Sequence, residues 1–203
     1  MAELVETPHG PARVHARPTA DPRAALVLGH GAGGGVESPD LVGAATAATD
    51  AGLSVALVEQ PYRVAGRRSP APARQLDEAW LAVVPQLFPD LPLIVGGRSS
   101  GARVACRTAA EIGAKAVLCL AFPLHPLGKP EKSRLPELDA VTVPTLVVQG
   151  ERDPFGIPPP APSREVTRVR GTHALRDGAA VAAAVSHWLA SLLADDFGSG
   201  ARS

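Results

Sequence analysis

Leu93-Ile94-Val95-Gly96-Gly97-Arg98-Ser99-Ser100-Gly101-Ala102-Arg103-Val104-Ala105 decides how the rest of the chain is read. An apolar, β-branched run stops at paired glycines, a serine follows at once, and a helix-forming segment begins. Residues 97–101 have the spacing G-x-S-x-G. That spacing suits a sharp strand-to-helix turn holding a serine in a strained backbone conformation at a sheet edge. A side chain at either flanking glycine would collide with the neighbouring strand or helix. The pattern is short enough to arise by chance, so its meaning rests on its surroundings.

Those surroundings are a series of short apolar runs. Ala24–Leu28 precedes a glycine-rich loop, Leu53–Val58 follows, and Leu91–Val95 leads into the turn. Ala116–Leu120 and Thr142–Val148 come next, with a weaker run at Arg164–Val169. Segments of helical spacing separate them. Ser38-Pro39 supplies an N-cap and an N1 proline for a helix over 39–51, stopped by Gly52. A second helix is predicted over 73–88, kinked or ended by Pro85, a third from the turn to Ile112, and a last one over 179–193. Residues 3–16 read as a short edge hairpin, and 61–72 as a loop rich in arginine and proline. Apolar runs without alternation, separated by helices, are what a parallel sheet covered on both faces produces. The expectation is a three-layer α/β domain over 1–194, with 195–203 as a disordered tail.

Composition narrows the function. Twenty Lys+Arg balance twenty Asp+Glu, so no bulk attraction to nucleic acid or to an acidic membrane surface is expected. No run approaches the length of a membrane span, and residues 1–18 lack the apolar core of a signal peptide. A cytoplasmic protein is expected. Cys106 and Cys119 read as two reduced, buried thiols. No H-E-x-x-H pair or clustered Cys/His spacing supports a metal, and no cofactor is expected.

Sites in open parallel sheets form at the carboxyl ends of strands. After the first run comes His30-Gly31-Ala32-Gly33-Gly34-Gly35, and after the third Ser99. After the fifth comes Gly150-Glu151-Arg152-Asp153-Pro154-Phe155-Gly156, and after the sixth Gly171-Thr172-His173. A serine, an acid and a histidine therefore share one edge. A serine hydroxyl is a poor nucleophile until a base takes its proton, and the imidazole needs a carboxylate to fix its tautomer and stabilise its cation. A glycine-rich loop exposes backbone N–H groups where an oxyanion develops. Glu151 stands two residues from Asp153, which is preferred because it sits deeper in the loop.

With these residues in place, the chain resembles the α/β-hydrolases, in their small, cap-less, dienelactone-hydrolase-like branch. The resemblance spans about 10–193 and rests on His30-Gly31-Ala32-Gly33-Gly34, Gly97-x-Ser99-x-Gly101, Gly150-x-x-Asp153 and Gly171-x-His173. It implies a mostly parallel central sheet between helices, without a large lid. Ser99 would be the nucleophile, His173 the general base and Asp153 its orienting acid. The N–H groups of Ala32 and Ser100 would form the oxyanion hole. The segment Phe122–Lys132 is similar to a subgroup that includes the hydrolase-like domain of a chromatin-complex subunit and a testis-expressed relative. Arg98, a charged residue beside the nucleophile, departs from many relatives.

The implied activity is two-step acyl transfer on a small ester or thioester. Cationic residues near this edge, among them Arg63, Arg67, Arg68, Arg98, Lys129, Lys132 and Arg134, suit an anionic substrate. Arg98, Arg63 and His125 are the candidate substrate contacts. Two other readings compete. Gly29-x-Gly31-x-x-Gly34, with Glu59 ending the next strand, superficially matches a dinucleotide fingerprint. Against it, Ser38-Pro39 starts the helix several residues late, and the serine, acid and histidine are left without a role. The same fold could also serve as a catalytically inactive interaction scaffold.

Overall fold

The computed structural model describes residues 2–195. Its centre is an eight-stranded sheet in the order β1-β2-β4-β3-β5-β6-β7-β8. The strands are β1 (Ala2–Val5), β2 (Ala12–Arg17), β3 (Ala25–Gly29), β4 (Ser54–Glu59), β5 (Leu93–Arg98), β6 (Ala116–Leu120), β7 (Thr145–Gly150) and β8 (Arg164–Val169). β1 and β2 form the expected edge hairpin, and β2 runs antiparallel to β4. From β4 to β8 every pairing is parallel. The carboxyl ends of β3 to β8 therefore all point to one edge.

The central strands are buried on both sides, and alternate residues feed two different cores. Leu26, Leu28, Ile94, Leu118, Leu146 and Val148 join one cluster with the helices α1 (Pro39–Asp50) and α6 (Gly178–Asp195). Val27, Val95, Val117, Cys119 and Val147 join the other with α3 (Ala73–Leu87) and α4 (Ser100–Ile112). This is the two-residue period of a strand, with both of its faces apolar. The sequence thus yields a three-layer sandwich. Among the described residues, no helix is long and apolar enough to cross a membrane.

Two short elements depart from the sequence reading. The segment expected as loop after β4 opens with a helical turn, α2 (Pro61–Val64), whose N1 proline fits the first turn of a helix. A second short helix, α5 (Leu135–Asp139), interrupts the long connection between β6 and β7. Arg103 of α4 grips Glu137 of α5 through two hydrogen bonds of 2.8 and 2.6 Å, which pins that connection to the body of the fold. Pro85 lies inside α3, two residues before its end, and does not stop it. Of the expected tail, Asp195 closes α6, and 196–203 lie outside the described residues.

Cys106 and Cys119 are both free and buried, with their sulfurs 3.5 Å apart. The neighbouring Cys106 thiol and burial together push the Cys119 thiol up.

Candidate active site

β5 ends at Arg98 and α4 begins at Ser100, leaving Ser99 alone to turn the chain. Its backbone has φ 51° and ψ −107°, a conformation that costs a non-glycine residue about 1–3 kcal/mol. Packing and one backbone hydrogen bond impose it: the Ser99 N–H donates to the Leu120 carbonyl at 2.8 Å. The turn closes this tightly because Gly97 and Gly101 press against β3. A Cβ on Gly97 would stand 2.5 Å from the Gly29 carbonyl oxygen, and one on Gly101 would meet the same oxygen. Both glycines of the motif are required by close approach rather than by their own dihedral angles.

The hydroxyl that this turn presents is half-buried and meets His173. The Ser99 hydroxyl donates to His173 Nε2 at 2.9 Å, and His173 Nδ1–H donates to Asp153 Oδ2 at 2.9 Å. A carboxylate can only accept, so the Asp153 contact places the ring proton on Nδ1 and leaves Nε2 free to take a proton. Asp153 itself is buried and held by two more donors. The Phe155 N–H bonds Oδ1 at 2.9 Å, and the Gln149 side-chain amide bonds Oδ2 at 2.8 Å. The Phe155 ring then packs against the imidazole, with centroids 4.3 Å apart. Serine, histidine and acid are brought together from three loops, as the strand order required.

The glycine-rich loop after β3 is fixed by residues to which the sequence reading gave no role. His30 is buried; its Nδ1–H donates to the Gly31 carbonyl at 2.8 Å, while Nε2 accepts the Gln60 N–H at 3.0 Å. These two bonds demand the neutral ring, and burial holds its pKa below the ordinary histidine value. Tyr62 of α2 donates its hydroxyl to the Ala32 carbonyl at 2.8 Å. Burial pushes that phenol up to about 12, so it remains a donor. The Ala32 peptide is thereby clamped from behind, and Ser100 stands at the first position of α4, where a helix leaves its N–H groups without internal partners.

A model of the alpha/beta hydrolase domain matches residues 22–179. The chain belongs to the alpha/beta hydrolase family. No curated protein matches it in sequence. Among solved structures it is similar to an a/b serine hydrolase without lid from Xanthomonas campestris, with a TM-score of 0.75, 21% identity and 94% of each chain covered. It is also similar to Est1E from Butyrivibrio proteoclasticus, at TM-score 0.74 and 17% identity over 95% of this chain and 99% of that one. Dienelactone hydrolase from Anabaena variabilis gives TM-score 0.72 and 20% identity over 94% and 96%. At these identities the likeness establishes the fold, an alpha/beta hydrolase sandwich.

Within this alpha/beta hydrolase the three expected substrate contacts have different settings. Arg63 is half-buried on α2, close enough to His30 for its charge to add to the lowering that burial imposes. His125 lies after β6 as expected, but its Nδ1–H donates to the Pro126 carbonyl at 2.9 Å and its ring edge packs on Gly156. Arg98 is turned inward, its side chain only 18% exposed, and its guanidinium is taken up by Asp40 and the His173 carbonyl. Arg134 is likewise drawn inward, to the Pro123 carbonyl at 3.3 Å.

The features on which a dinucleotide fingerprint rested are otherwise employed. Glu59 bonds Arg13 at 3.0 Å and His15 at 3.1 Å across the β2–β4 pairing. α1 starts at Pro39, after three residues of connection beyond the last glycine of the loop.

Gln149 is a further site residue that sequence reasoning missed. It is fully buried at the end of β7, and its amide nitrogen lies 3.1 Å from the Phe122 carbonyl, 2.9 Å from that of Gly156 and 2.8 Å from Asp153. The opposite amide orientation would set an oxygen against the Asp153 carboxylate. One signal was present: a lone amide in the buried run Leu146-Val147-Val148-Gln149 must find partners.

Proposed function

We propose that the protein is a serine hydrolase acting on a small ester or thioester. The observation that carries this reading is the continuous hydrogen-bonded line Ser99–His173–Asp153, with 2.9 Å at each link. In the first step the Ser99 proton passes to His173 Nε2 as Oγ bonds to the substrate carbonyl carbon, and the carbonyl electron pair moves onto oxygen. In this reading the N–H groups of Ala32 and Ser100 receive that oxyanion; one such donor is worth about 3 kcal/mol of barrier. Collapse expels the alkoxide or thiolate, which takes the proton from Nε2. Water then loses a proton to His173, attacks the acyl carbon and releases the acid, and the proton returns to Ser99.

Substrate preference within this reading is for acyl groups carrying an anionic substituent. Arg152, Arg170 and Arg176, against the single carboxylate of Asp177, line a cleft of about 450 Å³ between the loops that bear Asp153 and His173. Arg63 and His125 are the proposed contacts nearer the nucleophile. The neighbour from Xanthomonas campestris, described as without lid, supports an open site for small substrates. The segment Phe122–Lys132 is the ground for placing the chain with the chromatin-subunit-like subgroup.

The test is hydrolysis of a short activated ester by wild type, Ser99→Ala and His173→Ala. Loss of turnover by at least about 10⁴-fold in both, with the fold intact, is expected. Full activity of Ser99→Ala would overturn the proposal, and a wild type inert toward esters and thioesters would favour the interaction scaffold. A higher kcat/KM for an anionic ester than for its neutral analogue, narrowing with salt, is expected from the arginine cleft.

A further inference from the structure

Arg98 sits between four parts of the site. Its backbone ends β5 and delivers Ser99. Its Nη2 donates to the His173 carbonyl at 3.1 Å. Its Nη1 lies over Gly31 of the oxyanion loop, where a Cβ would come within 2.7 Å of it. Its Nε lies 2.9 Å from Oδ2 of Asp40, in the first turn of α1, and Asp40 is completely buried. That last contact is close but lacks hydrogen-bond alignment, since neither atom has a hydrogen-bond partner. Charge, more than a directed bond, holds the pair. The other carboxylate oxygen of Asp40 accepts its neighbour Leu41 N–H at 3.0 Å.

We propose that Arg98 is a positioning residue that fixes the backbone of the general base, and that Asp40 is its charge partner. The inference rests on the serine-hydrolase reading of the site. His173 stands on an irregular connection between β8 and α6, and Asp153 restrains only its ring. The Arg98 bond restrains its main chain, so ring and backbone are fixed from two sides. Gly31 lets the guanidinium pass between the oxyanion loop and His173. Asp40 performs a second task. An uncompensated guanidinium beside the base would oppose the imidazolium that forms during acyl transfer, and the buried carboxylate neutralises it.

The decisive experiment compares Arg98→Lys, Arg98→Met and Asp40→Asn with wild type on a p-nitrophenyl acetate substrate. Circular dichroism and thermal melting identify the folded variants. Lysine keeps a charge for Asp40 but cannot also hold the His173 carbonyl. Arg98→Lys is therefore expected to lose about 10- to 100-fold in kcat, the scale of a slightly misplaced catalytic group, with KM within about twofold. Folded Arg98→Met and Asp40→Asn should lose kcat in the same way. If Arg98→Met does not fold, Arg98→Lys decides. Unchanged kcat in folded variants, or a raised KM with kcat intact, would overturn the proposal; the latter would return Arg98 to substrate binding.

A readout independent of turnover is the proton resonance of His173 Nδ1–H. It should move or broaden in Arg98→Lys, and an unchanged resonance would contradict the positioning role. Should wild type hydrolyse nothing in a Ser99-dependent manner, the parent reading fails, and this resonance still decides the role of Arg98.

Discussion

The two edges of the central sheet are built from the same strands and differ in almost every other respect. At the amino edge lies a cleft of about 670 Å³, lined by Pro92, Ala109, Gly113, Lys115, Val141 and Val143 among others. Its buried polar groups are strand starts: Ser54 accepts the Thr19 N–H, Thr145 donates to the Val143 carbonyl, and Arg164 pairs with Asp139. At the carboxyl edge the cleft between the Asp153 and His173 loops is smaller, about 450 Å³, yet His30, Asp40, Gln60, Gln149 and Asp153 are all buried at that edge. Among the described residues, three of the four non-glycine residues with positive φ (Ser99, Ala121 and Leu175) also lie on that edge's connections. Cavity size alone would have pointed to the wrong end. Strained backbone and buried ionisable groups that converge on one hydroxyl mark the end where chemistry is arranged.

The contrast can be broken by substitution. Asp153→Asn leaves the shape of the carboxyl edge but removes the acceptor that fixes the ring tautomer. Activity toward a short activated ester should fall by about 10³- to 10⁴-fold, and near wild-type kcat would show that the line of hydrogen bonds is ornamental. Gln149→Leu removes a donor to Asp153 and leaves the Phe122 and Gly156 carbonyls without it. A fall in kcat of about tenfold with little change in KM is expected, together with a loss of roughly 1–3 kcal/mol in stability by urea denaturation. At the amino edge, Lys115→Ala should leave kcat/KM within about twofold and stability within roughly 0.5 kcal/mol. A large kinetic effect there would show that the open cleft takes part in the reaction.

Acid sharpens the same comparison. Burial, against the opposing pull of the Gly31 carbonyl, holds the folded pKa of His30 below its unfolded value near 6.5. The unfolded chain then binds more protons, and the stability that His30 contributes is complete above that value and is lost as pH falls through the folded pKa. Replacing His30 with Gln should flatten this part of the stability curve in denaturant titrations between neutral pH and mildly acidic pH. An unchanged slope would remove the neutral histidine from the account of the oxyanion loop.

The fold was legible because buried parallel strands have a recognisable rhythm and because Ser38-Pro39, Gly52 and Gly113 mark helix ends. The acid, base and serine were legible because each follows a strand at its carboxyl end. What was not legible depends on where side chains point after folding. Tyr62 looked like part of an arginine-proline loop until α2 turned its hydroxyl to Ala32. His30 read as part of a glycine motif, but its value lies in joining the ends of β3 and β4. Arg98 read as a candidate substrate contact beside a nucleophile, and nothing in the local sequence announces that Asp40, on another element, draws it inward.

The central claim is that Ser99 is a nucleophile activated through His173. Labelling of the folded protein with a fluorophosphonate probe, with the modified residue located by mass spectrometry, tests it most directly. The account predicts stoichiometric modification of Ser99, abolished by Ser99→Ala and strongly slowed by His173→Ala. Folded protein that takes up no label, or label found on Ser100 with Ser99 untouched, would contradict it.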